Sequence, residues 1–241
     1  MSAVRLIFRR EMGAFLRSPI GYVIAATVLC IDGLLYNAFA LGSRPRLSAE
    51  VMHDFFYFSS GTTMVAAIFL AMRLLAEERQ MGTLVLLRTA PIREREIVLG
   101  KFLSALCYLT LITVATLHLP LLVMVHGKVS WGHLLVGYSG LLLLGGAALA
   151  IGLLGSALAP NQLVAGVTGA GLLVLMLVLW LAARVADPPV RGLLEQLALH
   201  ARHFAPFMDG VVHLRDVFYY LAVTFFFLIC ATKALEVRRW R

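Results

Sequence analysis

An all-helical integral membrane protein is the fold class predicted by this 241-residue sequence, on three observations: its composition, six long apolar runs, and the uneven placement of its cations. Hydrophobic residues make up 61% and charged residues only 14%, against about 45–50% and about 25% in an ordinary soluble domain. With a mean hydropathy of +0.88, too few polar side chains remain to cover a soluble globule of this size. The 21 Lys+Arg against 13 Asp+Glu leave a net charge of +8. In a soluble chain such an excess would suggest nucleic acid; in a membrane chain it acts first as an orientation signal, and no nucleic acid partner is expected.

A hydrocarbon core about 30 Å thick needs about 20 apolar residues per helix. Six segments meet that length: about 19–42, 54–76, 97–125, 132–158, 162–184 and 216–235. Ahead of the first, residues 4–16 place Val4, Ile7, Phe8, Met12, Phe15 and Leu16 at helical spacing, with Arg5, Arg9, Arg10 and Glu11 on the remaining arc. That is the pattern of a basic amphipathic helix lying in the membrane interface. Arg5, Phe8, Arg9, Arg10 and Phe15 are its defining residues; a basic leader that only sets topology is the plainer alternative. The arginines so close to Met1, and the length of the apolar run after Pro19, argue against a cleaved signal.

Fourteen of the 21 basic residues fall on one side: Arg5, Arg9, Arg10 and Arg17 before the first span, six between 73 and 101, and Lys233, Arg238, Arg239 and Arg241 after the last. The positive-inside rule therefore puts both termini and the 73–101 segment in the cytoplasm. Between the fourth and fifth spans Ala159-Pro160-Asn161-Gln162 leaves room only for a tight hairpin. Residues 187–213 have a broken amphipathic pattern with Pro188-Pro189, Leu193-Leu194 and Pro206-Phe207-Met208. Both a re-entrant helical segment and an ordinary exposed loop fit it.

The connection from Glu77 to Lys101 is too apolar for a simple loop. Gly82 can free the backbone from the second span, Thr83 can cap a new helix, and Pro91 can end it. The spacing predicts a two-turn helix over the intervening residues, with Leu84 and Leu87 on an apolar face that seeks a groove on a partner.

These residues carry a family resemblance. The run Glu77-Glu78-Arg79-x-x-Gly82-Thr83-Leu84-x-x-Leu87-x-x-x-Pro91-Ile92, followed by Glu96-Ile97-Val98-Leu99-Gly100-Lys101-Phe102, resembles the signature of ABC type-2 transporter permeases. Arg10-Glu11, Phe15 and Arg17-Ser18-Pro19-Ile20-Gly21-Tyr22 are similar to the start of its gliding-associated and copper-processing branches. The resemblance implies a permease subunit, exporter-type, in the bacterial inner membrane. It implies pairing with a second permease copy, and docking of a cytoplasmic coupling helix on a dimeric ATPase that holds ATP and Mg; an extracytoplasmic accessory protein is a further partner it admits. Glu77, Glu78, Gly82, Thr83, Leu84, Leu87 and Pro91 would be the coupling positions. A membrane scaffold or channel that anchors a cytoplasmic partner without transport is the alternative.

The chain itself carries no phosphate-cradling loop: neither Gly100-Lys101 nor Gly127-Lys128 is followed by Ser or Thr or preceded by the required glycine. It is not expected to be an enzyme or to hold a cofactor. Gly137-Tyr138-Ser139-Gly140 resembles the Gly-x-Ser-Gly of rhomboid proteases, but the last span, 217–235, has no histidine to serve as base. No metal-ligand spacing is present; His200-Ala201-Arg202-His203 lacks the acidic partner of a zinc motif and reads as outer-loop polarity. Asp32 is costly in lipid and so faces protein or water. A place in the translocation path and a structural hydrogen bond with Tyr36 or Asn37 fit it equally. His118 beside Pro120 could line the same path or satisfy a proline kink. Small residues at Ala148, Gly152, Ser156, Ala165 and Gly169 favour close packing within the hairpin.

Overall fold

The computed structural model describes residues 3–41, 47–83, 92–127, 129–188 and 190–237, and the described residues are helical with no strand. Helix α1 (Ala3–Arg17) turns at Ser18 into α2 (Pro19–Leu35), which continues as a π-helical turn over Tyr36–Leu41. Pro19 stands at the start of α2, where a missing N–H costs nothing. The second span is α3 (Ser48–Leu74), bent at Leu75 into the short α4 (Ala76–Gln80). The third is α5 (Glu94–Ala115) followed by α6 (His118–His126). Then come α7 (Trp131–Leu158) and α8 (Gln162–Val185), capped by the side chains of Ser130 and Asn161. Short helices α9 (Val190–Leu197) and α10 (Ala205–Met208) precede α11 (Leu214–Val237).

Among the described residues, six helices are long and apolar enough to cross a membrane. Their bounds follow the apolar runs with one large difference: the second runs from Ser48 to Gln80, 33 residues, or about 50 Å of helix. Glu50, His53, Asp54, Glu77 and Glu78 do not oppose helix formation; they only leave the hydrocarbon, so helix and membrane boundaries separate there. In the third span the helix breaks at Thr116–Leu117, where Thr116 and Leu117 donate to Thr113 and Val114 in a tightened turn ahead of Pro120.

The second, third and fourth spans form the bundle centre, while the first, fifth and sixth expose much of their surface. Small residues set the close contacts. On α7, Gly137 and Gly140 leave room for the rings of Phe56 and Phe207: a Cβ at either glycine would lie 2.1 and 2.6 Å from them. Across the α7–α8 hairpin, Gly169 packs against Gly152, as the small-residue spacing predicts, and against Gly155, where a Cβ would stand 2.6 Å from the Gly169 backbone; Ser156 turns instead to α3 and α4. Gly152 also packs on Ala71 and Ile68 of α3.

The connection between the fifth and sixth spans is not an ordinary exposed loop. Leu199, Phe204 and Phe207 are fully buried in the bundle, and α9 packs along α8. The aromatic residues, spaced too irregularly to show a helical face, enter the core by way of turns.

Candidate functional site: a charged node and an apolar cavity

The end of the bundle that carries 73–101 gathers its charges around one lysine. Lys101, in the second turn of α5, is only 1% exposed. Its Nζ lies 3.0 Å from Glu11 of α1 and 3.1 Å from Glu78 of α4. Arg10 of α1 also pairs with Glu78 and Glu11. Two cations and two carboxylates thus close a neutral cluster that holds three chain segments together. Burying one such charge alone would cost several kcal/mol, and pairing offsets that cost. Burial raises the Glu11 carboxyl, but Lys101 and Arg10 outweigh it and hold the group below the usual glutamate range. Glu78 is 8% exposed, and its second carboxylate oxygen is buried with no hydrogen-bond partner.

The neighbouring acidic and basic residues have separate tasks. Arg73 pairs with Glu77 at 2.9 Å, one turn apart. Arg79 donates to the carbonyls of Ala157, at 3.0 Å, and Ala159, closing the C-terminus of α7. Ser156 receives the amides of Leu75 and Ala76 at 3.1 and 3.0 Å, satisfying the bend between α3 and α4. Gly82 adopts φ of +72°, a left-handed value suited to glycine, and Thr83 donates to the Glu78 carbonyl at 3.3 Å. On the far side Glu96 accepts from the Arg93 amide at 3.0 Å, fixing the first turn of α5.

Of the residues singled out as coupling positions, the structure therefore brings Glu77, Glu78, Gly82 and Thr83 to one end of α3 and α4. Glu77 pairs with Arg73, and Glu78 is buried beside Lys101 and Arg10. Leu84, Leu87, Pro91 and the helix expected over them lie outside the described residues. In α1, Arg5 and Arg9 are exposed, Phe8 is half-buried and Phe15 is buried, stacked on Tyr108 at 5.1 Å. Arg10, grouped by spacing with the outward arc, instead reaches into the node. Lys101 and Glu11 stand in the motif runs that carry the family resemblance but are not among the coupling positions or the defining residues of the amphipathic helix. A lysine following Ile97-Val98-Leu99-Gly100 is the available signal, since a cation there needs a buried partner.

Asp32 is 4% exposed and accepts from Thr62 at 2.6 Å and Ser59 at 3.4 Å. Its partners are hydroxyls on α3, a full span away in sequence, and not Tyr36 or Asn37; the Tyr36 hydroxyl has no hydrogen-bond partner. His118 is exposed and bonds through Nδ1 to the Ala115 carbonyl at 2.8 Å, inside the kink. Ser139 donates to Val136 of its own helix, and the glycines of Gly137-Tyr138-Ser139-Gly140 seat aromatic rings; packing accounts for that motif.

A cavity of about 920 Å³ runs between α2, α3 and the C-terminal half of α8. Its walls are apolar, among them Ile24, Val28, Met64, Phe69 and Trp180. At one end stands His200, whose Nε2 is 2.8 Å from the Ser60 hydroxyl; Ser60 in turn donates to the Tyr57 carbonyl. Burial holds the His200 imidazole below its ordinary range, so it is neutral near pH 7. Neither Asp32 nor His118 is among the cavity's lining residues.

Six candidate spans among the described residues, an amphipathic helix at the start and a charge-paired junction after the second span define a multi-pass membrane protein. The chain belongs to the ABC-2 type transporter family, whose membrane-component pattern matches residues 2–180. It is thus the permease component of an ABC transporter; in this family ATP hydrolysis lies on a separate ATPase subunit with which the permease pairs. Comparison with curated proteins gives no match.

Proposed function

We propose that this chain is one half of an exporter-type permease that works with a second permease copy and a separate dimeric ATPase, its termini and the node lying in the cytoplasm. The supporting observation is the node itself. Lys101, Glu11, Glu78 and Arg10 tie α1, α4 and α5 together on both sides of the segment 84–91. A displacement of that segment by an ATPase binding ATP and Mg would be passed to the first, second and third spans as one body. ATP drives alternating access only if the ATPase contacts the two arrangements differently, and a junction joined by buried ion pairs favours discrete positions over gradual bending.

The apolar cavity beside α2 and α3 supports a hydrophobic cargo, with the neutral Ser60–His200 pair offering hydrogen bonds but no charge. The first, second and fifth spans, which line it, are where the second permease copy would sit.

The test is biochemical. The full chain purified from its native membrane is expected to carry a protein with a phosphate-binding loop; a stable, fully occupied complex without any nucleotide-binding protein would overturn the reading. Leu84→Asp with Leu87→Asp is expected to release that ATPase while leaving insertion in the membrane intact. Retained ATPase would mean that docking lies elsewhere.

A further inference from the structure

At the end of the bundle opposite the node, one histidine has a hydrogen-bond arrangement that a neutral ring cannot satisfy by itself. His203 is 3% exposed and Asp216 is fully buried. The ring's Nδ1 lies 2.7 Å from the Asp216 Oδ1, and its Nε2 lies 3.0 Å from the backbone carbonyl of Gln196. A carboxylate and a carbonyl only accept, whereas a neutral imidazole has one N–H. The pair must therefore hold one additional proton, either on the ring as imidazolium or on the Asp216 carboxyl. With that proton gone, two acceptors face each other at one of these two contacts, the one to Asp216 buried and the one to Gln196 part-buried.

We propose that His203 and Asp216 form a buried proton-binding site that locks residues 196–204 onto the sixth span and opens when the proton leaves. This goes beyond the transporter reading and does not depend on it. The lock's remaining parts bind the same segment to α11. Tyr219 stacks on the His203 ring at 3.8 Å with planes 11° apart, a face suited to a cation. Tyr219 and Tyr220 donate to the carbonyls of Leu197 and Leu199 at 2.7 and 2.9 Å, and Tyr220 meets the ring edge-on. The other charged groups facing the pair are Arg215, 3.4 Å from Asp216 Oδ1, and His213, 3.6 Å from Oδ2. Arg202 and Arg191 are occupied by Glu195 on the exposed flank.

The sign follows from the proton count. The locked form binds one proton more than the opened, deprotonated form, so alkaline pH favours opening. A one-proton opening changes by about tenfold per pH unit once the pair titrates. Asp216→Asn separates this site from a merely structural contact. The amide can donate to Nδ1 of a neutral His203, which keeps its Nε2–H for Gln196, so the lock would need no additional proton.

The experiment is hydrogen–deuterium exchange of the full-length protein in lipid nanodiscs at about pH 6 and about pH 9, corrected for intrinsic exchange, read at amides 197–204. Wild type is expected to lose protection by at least about tenfold at the higher pH, Asp216→Asn to show equal protection at both, and His203→Gln to be unprotected at both. Equal protection of wild type at the two pH values, or a slope in Asp216→Asn like that of wild type, would overturn the proposal. Should Asp216→Asn not fold, isotope-labelled wild type supplies the second measurement. One titration shared by the His203 ring and Asp216 carboxyl, coincident with the loss of protection, supports the site; a ring and carboxyl that stay unchanged while the segment opens exclude it.

Discussion

The two ends of this bundle bury charge in different ways. At one, Lys101 and Arg10 meet Glu11 and Glu78 in a joint of lysine, arginine and carboxylates. At the other, the connection before the sixth span is held by histidines: His53 to Asp209 at 2.8 Å, His133 to the Met208 carbonyl at 2.8 Å, His200 to Ser60 and His203 to Asp216. The seven histidines, at 53, 118, 126, 133, 200, 203 and 213, all fall in or beside segments at this second end. A joint of arginine and lysine suits a part that must transmit force unchanged; one of histidine suits a part whose hold varies with conditions.

The strongest test of this contrast is Lys101→Met, which removes the hub of the node and leaves Glu11 and the buried Glu78 to share Arg10 alone. Breaking a buried pair in this way costs about 3–5 kcal/mol, to be read from unfolding in mixed detergent micelles. Loss of less than a tenth of that would mean the node is wet and weak. Next, Ser156→Ala removes the acceptor for the Leu75 and Ala76 amides and is expected to cost about 1–3 kcal/mol in the same assay, with the bend after α3 loosened.

A pH series sharpens the comparison without any substitution. Because Glu11 is held below the ordinary glutamate range, its contribution is complete above about pH 4.3 and is lost as pH falls through the lowered value. Exchange protection around residues 8–12 should therefore be flat from about pH 6 to about pH 9, while residues 197–204 open over that range. Smallest of all, Lys233→Ala breaks an exposed pair with Glu236 and should change stability by less than about 0.5 kcal/mol; a larger loss would show that surface pairs matter here as much as buried ones.

Local pattern was enough for the helices because each span declares itself in its own 20 or so apolar residues. Ser130 and Asn161 cap α7 and α8 by the same local logic. The sites were less legible. Glu78 belongs to a run readable as a coupling motif, yet the side chain turns to Arg10 and Lys101, far away in sequence. His203 reads as outer-loop polarity because its acidic partner, Asp216, lies 13 residues on, outside the local spacing of a His-Glu-x-x-His motif. Asp32 needed a hydroxyl, and Tyr36 was near in sequence; Thr62 was near in space.

The amino-acid sequence by itself determined the membrane class, the six spans, the tight hairpin and the family, because apolar length and local capping are properties of contiguous residues. Only the tertiary structure decided which charges are joined: whether a cation faces water or a buried carboxylate depends on how helices from distant parts of the chain lie against one another. A lysine at 101 and a histidine at 203 are ordinary letters in a row. Burial beside Glu11 and Glu78, or between Asp216 and a carbonyl, gives the first a fixed partner and makes the second a place to hold a proton.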